Sequence, residues 1–430
     1  MQTRQDMDPK EFTQAKNDLT EKLKALEDEL NGHLAGEYGI TEGTKKAREK
    51  YANWLLSHKP FHWLIDFYGI IKNGGFDVII GNPPYVELPK IKDTYTVKGY
   101  KTLGTNNLFS LVAERSKGLV RLSGRLGIIL PNSSVSAAKM SSLQRELKER
   151  SSCWISNFAW RPSKLFVGAN MLLAIWIIET NERELCFSSR YHRWQGDFRE
   201  ALFPTIEYIQ VTNLATESRI PKSPGMIAHS IISKCLAKSS GKTLLDLIVM
   251  DSGKFSLFYF RAVLYWFKVL TKPPIFREDG VDVETGEMKE LTFSRATTRD
   301  VVMALLSSNL FSLHYTVWSS CQVVNSPDLQ FPVDLERIER SHGKILSELA
   351  FRLIKDYQTN SIIQKRQYSA RGRKFTMEKQ YFFIKLSKSI IDEVDMVLTK
   401  HYGFTEEELD FIINYDIKYR MGQDTEKEEL

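Results

Sequence analysis

The chain has 430 residues, of which 42% are hydrophobic and 26% are charged, and its formal net charge at pH 7 is +6. This composition is typical of a globular protein of two or three domains and excludes a disordered polymer or a fibre. The longest uninterrupted apolar run, at 171–178, has eight residues, far fewer than the roughly 20 of a membrane-spanning helix.

Other features of the composition bear on location and metal binding. The first residues are charged and lack the apolar core of a secretory signal, so we expect a cytoplasmic protein without a membrane partner. The four cysteines are widely separated and form no Cys-x-x-Cys pair, which predicts reduced thiols. His58 and His62 are four residues apart but have no evident carboxylate or thiolate partner, so no metal site is predicted.

Residues 1–60 are predicted to form a helical hairpin. Asp8-Pro9 followed by Glu11 is typical of a helix start. Apolar residues then recur at spacings of three and four from Phe12 to Leu34, which predicts a long amphipathic helix that ends near Gly32 or Gly36. A second helix at 45–56 would cover the apolar stripe, and a coiled-coil dimer is the alternative.

The remaining chain divides into three predicted parts. Residues 61–190 alternate strands at 76–80, 125–130 and 171–179 with helices at 107–121 and around 140–147, the pattern of an α/β sheet covered on both faces. Residues 191–386 lose this alternation and contain short aromatic segments, which predicts an α+β domain. Residues 387–430 are again predicted to be helical, and a Thr405-x-x-Glu408 capping box starts the last helix.

The strand at 76–80 ends in the sequence Gly81-Asn82-Pro83-Pro84-Tyr85. The prolines restrict the backbone, so the Asn82 side chain and the Pro83 carbonyl are held in one orientation at the carboxyl end of a strand, where α/β proteins bind ligands. These two oxygens can accept both N–H bonds of an amino group and leave its lone pair free for attack. Tyr85 can stack on a planar base. The alternative is an ordinary turn with Tyr85 as packing.

The Phe-Asp-x-x-x-Gly-Asn-Pro-Pro-Tyr sequence at 76–85 resembles the catalytic motif of amino-group methyltransferases, in the form typical of DNA N6-adenine methyltransferases. Segments 107–109, 124–131 and 161–168 look like downstream motifs of the Eco57I-like branch of restriction–modification methylases. Segments 255–276, 307–311 and 402–409 are similar to the target-recognition region of that branch. The resemblance covers residues 61 to about 422.

The resemblance implies a fold, an activity and a site. The fold would be an incomplete Rossmann-like methyltransferase domain that depends on S-adenosyl-L-methionine, with its catalytic half at 61–190, followed by a DNA target-recognition domain at 191–386. The activity would be site-specific adenine methylation of double-stranded DNA in a restriction–modification or phage-defence system, on a flipped-out base. By motif, Asn82 and Pro83 would hold the adenine N6, Tyr85 and Phe166 would stack on its ring, and Phe109 with Asn82 would line the cofactor site.

The family has a glycine-rich cofactor loop upstream of this strand, yet the residues before 61 contain no Gly-x-Gly sequence. We therefore expect either a separate upstream polypeptide that completes the cofactor site or a truncated remnant. In both cases the 76–80 strand would present an unpaired apolar edge. A catalytically silent DNA-binding or specificity protein, and a methyltransferase for protein glutamine or RNA, remain alternatives.

Residues 351–380 contain eight basic and two acidic residues. Aromatic rings between the charges favour a polyanion-binding surface, with a solvated basic face as the alternative. The predicted DNA-binding residues are Lys365, Arg366, Arg371, Arg373 and Lys374. Acidic residues and a lysine at 282–289 loosely resemble a nuclease triad, but a polar hairpin is the favoured interpretation.

Overall fold

The computed structural model describes residues 8–40, 43–166, 168, 170–251, 253–263, 265–370 and 372–422. The α-helices are α1 (Pro9–Glu37), α2 (Lys45–His58), α3 (Trp63–Asp66), α4 (Tyr68–Lys72), α5 (Leu108–Leu119), α6 (Ser133–Ser136), α7 (Ser141–Lys148), α8 (Arg199–Leu202), α9 (Met226–Ser239), α10 (Leu244–Met250), α11 (Ala296–Ser307), α12 (Asn309–Trp318), α13 (Leu335–Thr359), α14 (Lys388–Tyr402), α15 (Glu406–Asn414) and α16 (Ile417–Arg420). The strands are β1 (Phe76–Gly81), β2 (Val120–Pro131), β3 (Ser151–Phe158), β4 (Leu173–Thr180), β5 (Leu185–His192), β6 (Ile209–Gln210), β7 (Phe255–Phe260), β8 (Val269–Leu270), β9 (Phe276–Glu278), β10 (Val281–Asp282), β11 (Met288–Phe293), β12 (Ser361–Ala370) and β13 (Arg373–Phe382).

The chain is a mixed α/β protein that divides into two compact units. The first unit contains Met1–Ile128, Arg145–Ser152 and Ile177–Glu184, and the second unit contains Ile129–Gln144, Cys153–Trp176 and Leu185–Leu430. The strands form a six-stranded sheet of order β1-β2-β4-β3-β5-β6, a four-stranded sheet of order β10-β9-β13-β12 and a three-stranded sheet of order β11-β7-β8.

The predicted N-terminal helices are present in the first unit. The Asp8 side chain caps α1 by accepting the Lys10 backbone N–H at 2.7 Å, and the helix ends at Glu37, one residue beyond Gly36. In α2, the buried Trp54 ring lies 5.7 Å from the Tyr38 ring at the end of α1. The two helices therefore pack together at this end of α1.

Strand β1 is an edge strand of the six-stranded sheet and pairs in parallel with β2. The regular register runs from Val78 opposite Arg125 to Gly81 opposite Ile128, and it is interrupted between Phe76 and Val78. Because of this irregularity β2 begins at Val120 and α5 ends at Leu119. The predicted boundary between this helix and this strand was therefore too late in the sequence.

Two glycines make the turn into β1. Gly74 and Gly75 have φ angles of 97° and 122°, which residues with a Cβ atom rarely adopt. A Cβ atom on Gly75 would also collide with the backbone carbonyl of Leu119. Gly75 thus allows β1 to approach the end of α5.

The core of the second unit is built largely from helices that the sequence pattern did not define. Helix α11 is buried continuously from Val301 to Ser307. On α14, the buried Asp395 carboxylate accepts the backbone N–H groups of Asn309 and Leu310, both at 3.0 Å, and so joins α14 to the start of α12. Helix α15 begins with the predicted capping box.

No single helix among the described residues is long and apolar enough to cross a membrane. Helices α11 and α12, which are bent by 65° relative to each other, have together the length and composition of a broken span.

We expect Gly75→Ala to lower the free energy of unfolding by about 1–3 kcal/mol, since the alanine adopts an unfavourable φ and meets the Leu119 carbonyl. The matched control is Gly118→Ala in the neighbouring helix α5, where a Cβ atom would meet nothing within 4 Å. Gly118→Ala should leave stability unchanged or raise it slightly. Urea denaturation of the three proteins checks this, and equal stability of both variants would contradict the role of Gly75.

Candidate functional site

The Asn82 side chain lies at the carboxyl end of β1, directly after Gly81. Asn82 is exposed, whereas Pro83 is buried and anchors the turn. The Tyr85 hydroxyl donates a hydrogen bond to Asn82 Oδ1 at 2.9 Å. An amide oxygen has two lone pairs, so Oδ1 retains the capacity to accept one further N–H.

Tyr85 is held in a half-buried position beside this turn. Burial raises the pKa of Tyr85 to about 12, so its phenol stays protonated at neutral pH and acts as a donor. Its ring meets the Phe109 ring edge-on, with centroids 6.0 Å apart and planes at 88°. Tyr85 therefore orients the Asn82 amide, a role that the sequence analysis did not anticipate.

Phe109 is positioned by the backbone on either side of the motif. The Leu108 N–H donates to the Val86 carbonyl at 2.8 Å, and the Leu88 N–H donates to the Asn106 carbonyl at 3.1 Å. These bonds tie the segment after the motif to the start of α5. Phe109 is only 2% exposed, and its observed contact is with Tyr85. The predicted contact of Phe109 with the cofactor stays a prediction.

One anchoring residue was missed by the sequence analysis. Glu114 on α5 accepts the backbone N–H groups of Lys101 and Thr102 at 3.0 and 2.9 Å and the Thr102 hydroxyl at 2.7 Å. This carboxylate fixes the segment that leads into α5 and to Phe109. The available signal was an acidic residue placed between the apolar positions of an amphipathic helix.

Phe166, the predicted second stacking residue, belongs to the second unit. It is 36% exposed and follows the buried Leu165, whose carbonyl accepts a hydrogen bond from the Arg199 guanidinium at 2.8 Å. The backbone before Phe166 is thus anchored while its ring stays accessible. Its stacking role stays a prediction.

A groove of about 970 Å³ lies along β1 in the first unit. Side chains from β1, from α5 and from the 91–100 segment line it. Val78 and Ile80 on β1 are 57% and 83% exposed, although both are hydrophobic. Among the described strands, β1 pairs only with β2, so the expected unpaired apolar edge is present.

The predicted DNA-binding residues lie on the hairpin formed by β12 and β13. Lys365 pairs with Glu378 at 2.7 Å, and Arg373 pairs with Glu278 at 3.0 Å and with Asp279 at 2.8 Å. Within the described part of the chain, Arg366 and Lys374 form no ion pair, while Arg371 lies outside the described residues. Four of the five residues therefore lie on one hairpin. Ion pairs neutralise the charges of two of them, Lys365 and Arg373.

Aromatic rings accompany these charges. The Tyr368 and Phe375 rings, opposite each other in the register, are stacked with centroids 5.9 Å apart. The Arg373 guanidinium lies 5.9 Å from the centre of the Phe375 ring. Stacked rings beside guanidinium groups are typical of surfaces that bind nucleic acid.

Two acidic side chains of the 282–289 segment form ion pairs. Asp282 pairs with Arg277 at 2.7 Å, and Glu287 pairs with Lys379 at 3.0 Å. In the residues that the structure describes, no group of three or more His, Cys, Asp or Glu side chains could hold a metal ion.

Comparison with known proteins gives a family match for the part of the chain that contains this turn. Residues 5–166 match the model of the family described as Eco57I restriction-modification methylase. The matched segment contains Asn82, Tyr85 and Phe109, so the resemblance expected from the motif is confirmed for this part of the chain.

One curated protein is similar in sequence to part of this chain. It is the Methanocaldococcus jannaschii protein named "Putative type II restriction enzyme and methyltransferase RM.MjaORFECS2P", and it is 32% identical over 173 residues, which are 39% of this chain and 14% of the relative. The chain thus matches only a small part of that relative's length.

Similar solved structures come from restriction–modification enzymes. The type IIL enzyme MmeI in complex with DNA is 11% identical in sequence to this chain. The alignment covers 86% of this chain and 57% of the MmeI chain, with a TM-score of 0.37. The type ISP enzyme LlaBIII bound to DNA is also 11% identical. The alignment covers 71% of this chain and 32% of the LlaBIII chain, with a TM-score of 0.33.

Proposed function

We propose that this chain supplies the acceptor-binding and DNA-binding parts of a site-specific DNA N6-adenine methyltransferase of a restriction–modification or phage-defence system. The observation that carries the proposal is the Asn82 amide, which Tyr85 orients at the carboxyl end of β1 inside the segment that matches the methylase family. The name of the Methanocaldococcus jannaschii relative includes a methyltransferase, which supports methyl transfer as the reaction.

The turn at Asn82 suits an exocyclic amino group. One N–H of the adenine N6 would donate to Asn82 Oδ1, and the other would donate to the Pro83 carbonyl. With both N–H bonds engaged, the nitrogen lone pair points away from the turn and towards an electrophile. The Tyr85 phenol, with its pKa of about 12, orients the amide and does not serve as a base at neutral pH.

The family implies S-adenosyl-L-methionine, which supplies an electrophilic methyl group when it is bound. The Asn82 turn fits the acceptor side of this reaction. The chain contains no Gly-x-Gly sequence for the methionine end, so its residues do not complete the cofactor site. We propose that a separate upstream polypeptide completes it by adding a strand to the exposed edge of β1.

Target recognition is assigned to the second unit. A base inside a duplex must be flipped out before the Asn82 turn can hold it, at a cost of a few kcal/mol. Contacts with phosphates from Arg366 and Lys374, together with Phe166 as a second stacking ring, would help to offset this cost. All four cysteines are buried free thiols, in keeping with a cytoplasmic location.

Asn82→Ala should lower methyl transfer to DNA at least about 100-fold, because an aligned hydrogen-bond acceptor is lost. Tyr85→Phe, which keeps the ring and loses only the hydrogen bond to Asn82, should have a smaller effect. The measurement is transfer of labelled methyl to plasmid DNA by the chain with its upstream-encoded polypeptide. DNA binding of both variants should equal that of the unaltered chain.

Three results of this assay would contradict the proposal. A normal rate with Asn82→Ala would overturn the role of the turn. DNA binding without methyl transfer, with or without the upstream polypeptide, would favour the silent specificity protein. Label in RNA or protein, when either replaces plasmid DNA as the acceptor, and none in DNA would favour the remaining alternative.

Ile80→Arg should weaken association with the upstream polypeptide at least about tenfold, because it places a charge on the apolar edge of β1. The control is Leu56→Arg on α2, a side chain that is 75% exposed and lies outside β1. Analytical ultracentrifugation of equimolar mixtures measures the association. Equal weakening by both variants, or by neither, would show that β1 is not the docking edge.

Replacing Arg366 and Lys374 together by alanine should weaken DNA binding and lower the slope of log K against log salt by about 2, one for each lost phosphate contact. The matched control replaces Lys16 and Lys22, two exposed lysines of α1, and removes the same total charge. Fluorescence anisotropy at several salt concentrations measures both quantities. An equal change in the two double variants would point to net charge rather than to the hairpin.

A further inference from the structure

A cavity of about 200 Å³ lies in the second unit, at the end of the β12–β13 hairpin that is remote from its tip. Six aromatic residues line it: Phe260, Tyr265, Trp266, Phe276, Tyr381 and Phe382. Tyr265, Trp266 and Phe382 are buried, whereas Phe260, Phe276 and Tyr381 are half-buried and present accessible ring surface. The volume is below the roughly 300–1,000 Å³ of pockets for drug-sized ligands, so it suits a single flat ring system.

The three-stranded sheet supplies one side of the cavity. The Phe260 N–H at the end of β7 donates to the Lys268 carbonyl at 3.1 Å, and the Arg261 N–H donates to the Glu287 carbonyl at 2.8 Å. These bonds bring the side chains of Phe260, Lys268 and Glu287 to the same end of the sheet. All three residues line the cavity.

The four-stranded sheet supplies the opposite side. In the register, Phe276 of β9 lies directly opposite Lys379 of β13, so these two side chains are on one face of the sheet. Tyr381 is two residues beyond Lys379 and lies on the same face. The Lys379 ammonium is 4.9 Å from the centre of the Phe276 ring.

The charges at the cavity suit an anionic group next to the flat ring. Lys379 pairs with Glu287 across the cavity at 3.0 Å, and Lys268 is a second lining lysine. The Glu287 side chain is largely exposed, so its pair with Lys379 is weak and can yield to a phosphate.

The same face connects the cavity with the tip of the hairpin. Alternation along β13 places Arg373, Phe375, Lys379 and Tyr381 on one face, and Tyr368 of β12 joins them opposite Phe375. The buried Met377 lies between Phe375 and Lys379 on this face, so basic and aromatic groups stand at the tip and at the cavity with one methionine between them. Cations and rings at both ends of the face are suited to contact the phosphates and bases of a nucleic acid strand.

We propose that the cavity holds one nucleobase of the bound nucleic acid, stacked on Phe276 and Tyr381, with its phosphate beside Lys379 and Lys268. The inference rests on the proposed function, in which the second unit binds DNA. It adds a base-holding site that is separate from the Asn82 turn. The cavity would retain a base that has left the duplex stack.

The probe is thymidine 5′-monophosphate, titrated into the full chain and followed by saturation-transfer NMR. Thymine has no exocyclic amino group, so the turn at Asn82 cannot hold it by the two hydrogen bonds proposed for adenine. We expect Tyr381→Leu to weaken binding about tenfold, since it removes the stacking ring. Tyr381→Phe, which keeps the ring, should bind as the unaltered chain does.

Two controls locate the binding. Asn82→Ala should leave binding of the nucleotide unchanged, and so should Phe375→Leu, which removes a ring of the same face outside the cavity. Phe276→Leu should reproduce the loss seen with Tyr381→Leu, and it replaces that variant if circular dichroism shows that Tyr381→Leu does not fold.

The outcomes separate this inference from the proposed function. Absence of nucleotide binding, or equal binding by Tyr381→Leu and Tyr381→Phe, overturns the cavity site even when methyl transfer to DNA is normal. Nucleotide binding that depends on Tyr381 supports the site even when methyl transfer fails. Stronger binding of an apolar peptide than of the nucleotide would assign the cavity to a protein partner and overturn the inference.

Discussion

The orientation of the Asn82 amide depends on a short series of contacts around the end of β1. Parallel pairing with β2 fixes the strand, and the buried Pro83 fixes the backbone that leaves it. The Tyr85 hydroxyl then holds Asn82 Oδ1, and Phe109 supports the Tyr85 ring. The first two contacts restrict the backbone at Asn82, and the hydrogen bond from Tyr85 restricts the rotation of its amide. A site arranged in this way is organised before any ligand binds, which lowers the entropic cost of holding an amino group in line for attack.

The exposed edge of β1 has a direct consequence for this site. Burying a Val or Ile side chain stabilises a protein by about 1.5–3 kcal/mol. Val78 and Ile80 are largely exposed, so they do not contribute most of this free energy. A strand added in parallel to β1 would lie only about 4.8 Å away. Its carboxyl end would then be next to Asn82, and the loop that follows this end is where α/β sheets bind ligands. A partner strand at this edge would therefore bring the loop that follows it close to the Asn82 turn.

Local signals made part of this structure predictable from the sequence. Caps and prolines identified α1, α15 and the turn at Asn82, because their effect extends over only a few residues. The start of β2 at Val120 was missed, since it depends on an irregular register with β1 rather than on apolar periodicity. The contact of Tyr85 with Asn82 was missed for a related reason: the motif shows which residues are present but not that the phenol bends back to the amide. Helix α11 was not defined, because its continuous burial from Val301 to Ser307 removes the alternation of apolar and polar residues by which amphipathic helices are recognised. This reason does not apply to α13, whose buried residues recur at helical spacing and which was missed nonetheless.

The net charge of the hairpin surface was the property that a single segment of the sequence predicted least well. The excess of +6 at 351–380 counts neighbours in the chain, whereas the acidic partners come mostly from other elements. Arg352 pairs with Glu393, Arg373 with Glu278 and Asp279, and Lys379 with Glu287, all from outside the window. Most of these pairs are exposed and therefore weak, so a phosphate can displace the carboxylate at small cost. Among the described residues, the hairpin therefore combines two cations without an ion pair, Arg366 and Lys374, with cations whose acidic partner a phosphate could displace. In the proposed DNA complex, this arrangement would limit non-specific attraction and keep the close contacts, because paired charges contribute little to the field at a distance.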